Sequence, residues 1–165
     1  MDLRYLLAFA YNAIRQFESA IHILRSTGQP DIVLNETART VSDLEGFYTL
    51  INALAGAGQS ESIEVANSLA LWSHNGPWWG DVGWIGVHRG CGLAVLGRHE
   101  EALQQLVLAT ESPRLLWDPV IRDSWCFQSF ADEPVYQNVL RDQEGRRAAL
   151  RARLPATLVE FGVEL

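Results

Sequence analysis

The chain has 165 residues with a formal charge of -7, and 48% of its residues are hydrophobic. That is enough chain and enough apolar content for one domain with its own core. The acidic balance argues against nucleic acid as a partner, since phosphate binding needs basic surface. No apolar run approaches the ~20 residues of a membrane helix, and Asp2 and Arg4 interrupt any export signal at the start. The expectation is a cytoplasmic protein with no membrane partner. All of the basic residues except histidine are arginine, which removes Schiff-base chemistry and phosphate-loop lysines.

The elements follow in chain order. Leu3, Leu7, Ala10 and Ile14 keep helical spacing and predict a helix over 3–13. After a break at Arg15-Gln16, the stripe Phe17, Ala20, Ile21, Leu24 predicts a second helix over 17–24. Residues 27–41 read as a polar connector. Ser42 and Glu45 have the spacing of a capping box, so a helix is expected from about 43 to 55. Gly56-Ala57-Gly58 makes a turn, and a fourth helix follows over 60–72 through Ile63, Ala66, Leu69 and Ala70. The stretch 73–80 reads as a loop rich in tryptophan, with Trp78 and Trp79 folding over a core.

Residues 84–96 read as a helix despite Gly86, Gly90 and Gly92. Each glycine costs roughly 1 kcal/mol there, which makes sense where neighbouring helices pack very close. Gly97 ends it, and 98–110 is amphipathic through Ala102, Leu103, Leu106 and Ala109. Beyond Pro113 the pattern becomes irregular and apolar around Trp117, Trp125 and Phe127. Asp132-Glu133-Pro134 starts a last helix, expected to weaken at Gly145 and to break at Pro155, with one or two further turns over 156–161. Arg141, Arg146, Arg147, Arg151 and Arg153 on it read as a solvated face. Cys91 and Cys126 read as buried, reduced thiols, because nothing in their spacing supports a disulfide.

Three segments share one plan of helix, short turn and helix. They carry Leu7-Ala8, Tyr11, Ala20 and Leu24; Leu54, Gly58 and Ile63; and Gly90, Leu93, Ala102 and Leu106. This plan resembles the tetratricopeptide repeat, most specifically in Leu96-Gly97-Arg98-His99-Glu100-Glu101-Ala102-Leu103. The resemblance implies an all-α fold, a right-handed stack of antiparallel helical hairpins in a TPR-like superhelix. Repeat units fall at about 1–30, 42–73 and 83–113, and an irregular helical C-terminal cap covers 114–165, all in one domain. The tail, with Trp117-Asp118-Pro119 and Glu133-Pro134-Val135-Tyr136, resembles the closing segment of bacterial tetratricopeptide regions. Those often follow a nucleotide-cyclase or winged-helix domain, which implies a fragment or a stand-alone relative.

Family members hold peptides against the first helix of each pair. By position the resemblance gives a partner-binding groove of Tyr5, Phe9, Asn12, Tyr48, Asn52, Trp84, Val87 and Cys91. Only Asn12 and Asn52 echo the residues with which some members grip a C-terminal carboxylate. No catalytic residue, cofactor or metal is expected. The histidines form no i, i+4 pair, and neither a nucleophile elbow nor a dinucleotide loop occurs. The function expected is a protein–protein interaction scaffold and not an enzyme. Two alternatives stand beside it. One is a regulatory or dimerising segment using Trp117, Trp125 and Phe127 as the homodimer face. The other is a small-molecule sensor or enzyme using the tryptophan loop and His88.

Overall fold

The computed structural model describes residues 3–26, 41–71, 82–112 and 121–162. Among them the chain is all-helical, with no strand. Helix α1 spans Leu3–Ala13, α2 Phe17–Arg25, α3 Val41–Gly56, α4 Ser62–Leu71, α5 Val82–Val95 and α6 His99–Thr110. A 3-10 helix follows at Trp125–Phe130, then α7 at Pro134–Glu160. The connector 27–40, the loop with Trp78 and Trp79, and Trp117 lie outside the described residues. So do the side chains of Ser42 and Glu45, so the expected capping box is not described.

The helices pack in three hairpins: α1 on α2, α3 on α4 and α5 on α6. Neighbouring hairpins also touch, with α2 on α3 and α4 on α5, and α1 meets α3 as α3 meets α5. The three hairpin turns are built alike. In the first, Arg15 N donates to Asn12 O and Gln16 N to Tyr11 O. In the second, Gly58 N donates to Ala55 O and Gln59 N to Leu54 O. In the third, Gly97 N donates to Ala94 O and Arg98 N to Leu93 O. Each turn closes its first helix with a bond spanning six residues, and each places one residue at positive φ: Arg15 at 59°, Gly58 at 69° and Gly97 at 74°. This is the Schellman arrangement, which satisfies carbonyls left open at a helix end. The three turns thus share one backbone pattern.

The second hairpin departs from the other two after its turn. Helices α2 and α6 begin two residues beyond the positive-φ residue, but α4 begins at Ser62, four beyond Gly58. The delay shifts the packing face. Ile63, expected at the close contact, is 45% exposed, and the buried small residues are Ala66 and Ala70.

Helix α5 is the centre of the stack, and its glycines explain how. A Cβ on Gly92 would lie 2.8 Å from the Ala66 carbonyl oxygen in α4. One on Gly86 would lie 2.7 Å from the Gln105 carbonyl oxygen in α6, and one on Gly90 3.2 Å from that of Ala102. The two partner helices thus press onto α5 from both sides, backbone against backbone. Gly145 in α7 has nothing within 4 Å of a built Cβ. The two settings predict opposite signs. Gly145→Ala should stabilise by about 1 kcal/mol through helix propensity alone. Gly92→Ala gains the same term, but overpacking against rigid backbone costs about 1–3 kcal/mol, so its net effect is a loss. Urea denaturation of both variants measures this directly.

The last helix corrects two expectations. It runs unbroken through Gly145 and through Pro155. Proline removes one N–H bond and crowds the carbonyl four residues earlier. Here that carbonyl belongs to Arg151, on an exposed stretch where water can take the bond. The arginines of this helix are not uniformly solvated either. Arg146 donates to the carbonyls of Thr110 at 3.0 Å and Ser112 at 2.7 Å, capping the end of α6 and docking α7 against it.

Candidate functional site

The face formed by α1, α3 and α5 gathers the expected groove residues but does not leave them open. Tyr48, Asn52, Val87 and Cys91 are all buried, and Phe9 and Asn12 are half-buried. The side chains of Tyr5 and Trp84 lie outside the described ones. The cover is the chain's own segment, whose 3-10 helix packs on α3 and α5. Phe9, Asn12, Tyr48 and Asn52 share with Asp123 and Ser124 a void of about 10 Å³, too small for any peptide side chain. The expectation of an exposed groove is thereby corrected: the apolar, amide-bearing face of α1, α3 and α5 is covered by residues 121–130, which bring Ile121, Phe127 and Phe130 into the core.

Asn52 holds this segment in register. Its Oδ1 accepts from Ser124 Oγ at 2.7 Å and from the Cys126 backbone N at 3.2 Å. Its Nδ2 donates to the Tyr48 carbonyl at 2.8 Å. An amide that bonds on both of its ends is well used in a buried site. Asn12 is likewise structural, donating from Nδ2 to the Thr49 carbonyl at 2.8 Å and so tying α1 to α3. Burial holds the Tyr48 phenol well above its ordinary pKa, with the hydrogen bond to Ser124 opposing the shift. Tyr48 is thus a neutral core residue, its ring 4.9 Å from that of His88.

Cys91 and Cys126 form a disulfide between α5 and the covering segment, across a Cα separation of 5.3 Å. This corrects the expectation of reduced thiols. The bond depends on folding back 35 residues of chain, which spacing alone does not reveal. Disulfides persist in oxidising compartments and are rare in the cytoplasm, so the pair and the cytoplasmic reading pull in opposite directions. The bond also occupies the Cys91 sulfur, which is then no thiolate ligand. Among the described residues no group of histidine, cysteine and acidic side chains is placed to hold a metal.

Of the expected homodimer face, Phe127 is buried and Trp125 half-buried, while Trp117 lies outside the described residues. Phe127 and Phe130 are fully buried and stack with ring centroids 6.3 Å apart, and Tyr136 packs on both. Trp125 meets the edge of Phe17 at 5.3 Å. Tyr136 donates its hydroxyl to the Ile121 carbonyl at 2.9 Å, joining α7 to the start of the segment.

What the open surface offers instead is a cleft of about 610 Å³ between the first hairpin turn, the covering segment and α7. Arg15, Arg122 and Arg141 line it, with Gln128, Gln137 and Glu144, over an apolar part made by Phe127, Tyr136 and Leu140. Arg15 sits over the Trp125 ring at 5.8 Å and donates to Gln128 Oε1 at 3.5 Å. Its backbone is at φ 59°, where the sister turns use Gly58 and Gly97. A side chain in that region costs roughly 1–2 kcal/mol. One signal of this was in the sequence. Aligning the three turns places Arg15 against two glycines, an exchange that turn chemistry does not favour.

No family model, no curated protein and no solved structure matches this chain.

Proposed function

We propose that the protein is a non-catalytic interaction module, a stack of helical hairpins resembling tetratricopeptide repeats, that assembles with a second copy of itself through the end of α7. The observation that carries this reading is the exposed apolar stripe there. Tyr136, Val139 and Gln143 bury the first half of α7. Beyond them Leu150 and Leu154 are 51% and 52% exposed, and Val159 and Phe161 are 68% and 81% exposed. Leu150, Leu154 and Phe161, at i, i+4 and i+11, share one face; a single exposed apolar residue such as Val159 is ordinary, but a stripe at helical spacing marks a contact.

Charge supports a second copy as the occupant. Antiparallel pairing centred on Leu154 sets Leu150 across from the second copy's Leu158 and Glu160 across from its Ala148. That brings Glu160 toward Arg147 and Arg151 of the facing helix, beside the Glu144 carboxylate that both already hold at 3.0 and 3.8 Å. A twofold arrangement satisfies both sides at once. Peptide capture by the α1, α3 and α5 face would instead require residues 121–130 to leave a site where Ile121, Cys126, Phe127 and Phe130 are buried.

Light scattering after gel filtration tests the reading. A dimer is expected at micromolar concentration, and the double variant Leu150→Glu with Leu154→Glu should be monomeric with an unchanged helical circular dichroism spectrum. A wild-type chain that stays monomeric at every concentration sinks it.

A further inference from the structure

We propose that the Cys91–Cys126 pair is a reversible redox latch, which decides whether residues 121–130 can leave the α1, α3 and α5 face on their own. No step of it uses the stripe on α7, so it stands apart from self-assembly. The disulfide joins α5 to the 3-10 helix of the covering segment. Oxidised, the segment cannot lift off by itself, because Cys126 is tied to a helix in the centre of the stack. Reduced, only contacts that separate and re-form hold it. These are the buried rings of Phe127 and Phe130, and the bonds that Asn52 accepts from Ser124 and the Cys126 backbone N. The segment is the resting cover in both states, and the bond governs its opening.

The surroundings are fitted to two thiols as well as to a disulfide. The Cys126 sulfur lies 3.4 Å from Asn52 Oδ1, and the Cys91 sulfur 3.9 Å from Asn52 Nδ2. In the disulfide neither sulfur carries a hydrogen. After reduction the Cys126 S–H finds an acceptor in Oδ1, and the Cys91 sulfur keeps a donor in Nδ2. Ser124 Oγ, 2.8 Å from the Cys126 sulfur, adds a hydroxyl that can donate or accept. A permanent staple needs no such partners; two buried thiols do.

The exchange balances with a dithiol as the reductant. A thiolate of the reagent attacks the Cys126 sulfur, the less deeply buried of the two at 6% exposure against 0%. The S–S bond breaks, Cys91 leaves as a thiolate and takes a proton, and a mixed disulfide forms on Cys126. The reagent's second thiol then closes its own ring and releases Cys126 as a thiol. Two electrons and two protons pass from the reagent to the protein. The hairpins do not depend on this step. Gly86 and Gly92 set α5 against α6 and α4 at contacts that do not include the segment, so the opening is local.

The test is hydrogen exchange, read by mass spectrometry on the full chain, oxidised and in dithiothreitol. In the oxidised chain, residues 121–131 should be as protected as α5, since both open only by global unfolding. In dithiothreitol the segment should exchange at least about tenfold faster than α5, and oxidised glutathione should restore equal protection. Cys126→Ser, which keeps a donor for Asn52 Oδ1, should show the released pattern with and without dithiothreitol. The proposal is overturned if segment and α5 stay equally protected after reduction, which marks a staple that acts on global stability alone. It is overturned as well if the segment exchanges ahead of α5 by the same factor in both states, or if oxidised glutathione fails to restore its protection.

Discussion

Phe127→Ala should lower the free energy of unfolding by about 3–5 kcal/mol. The ring is fully buried, stacks on Phe130 and packs against Tyr136. Truncation removes its transfer energy and leaves a cavity. That cavity cannot collapse easily, because its walls come from three sources: the segment itself, α7, and the helices beneath. The size of the loss has a structural meaning. A segment that merely rests in a groove can be displaced by a peptide, and its truncation costs little to global stability. A segment whose rings are core costs the full amount. Urea denaturation gives the number, and a loss under about 1 kcal/mol would restore the reading of 121–130 as a removable occupant.

Reduction of the Cys91–Cys126 bond should cost roughly 3–4 kcal/mol, the loop-closure value for a loop of this order. The two cysteines are 35 residues apart, so the bond restricts a sizeable stretch of unfolded chain. The folded state should survive reduction. Burial of Phe127, Phe130 and Ile121 and the bonds that Asn52 accepts from Ser124 and the Cys126 backbone do not run through the sulfurs. The expected result is a lower urea midpoint in reducing agent with the helical signal retained in water. Cys126→Ala should match the reduced protein and lose its response to reductant. Identical midpoints with and without reductant would mean that the two sulfurs are not joined in solution.

The largest costs both fall on one short segment, and this reorders the parts of the molecule. Residues 121–130 carry little helical periodicity and look like an afterthought to the hairpins. They nevertheless contribute Ile121, Cys126, Phe127 and Phe130 to the core. Asn52 was legible as an exposed amide on a binding helix only because nothing in sequence says what lies above it. A buried amide and an exposed amide share the same neighbours along the chain. The difference is made by a partner 72 residues away, Ser124. The same holds for Trp125 and Phe127, where an apolar tail is equally consistent with a dimer face and with a lid on the chain's own core.

The arginine cleft was hidden for a related reason. Arg15 lies more than a hundred residues from Arg122 and Arg141 along the chain, and each alone reads as an ordinary surface arginine. Only the packing of the first turn, the covering segment and α7 brings them to one concavity.

Local chemistry, by contrast, was enough for most of the helices. Apolar spacing at 3.6 residues, glycine after a helix and proline at a helix start act within a few residues. Helix α1 at Leu3–Ala13 and the start of α7 at Pro134 follow directly from them. The crowded glycines of α5 likewise announced close helix neighbours on chemical grounds. Which helix each glycine faces, which small residue meets it and whether the α1, α3 and α5 face stays open were decided by tertiary structure alone. Those outcomes depend on long-range contacts, in which chain segments compete to cover the same apolar surface. In this protein the segment that covers it carries Cys126, and the bond to Cys91 ties it there.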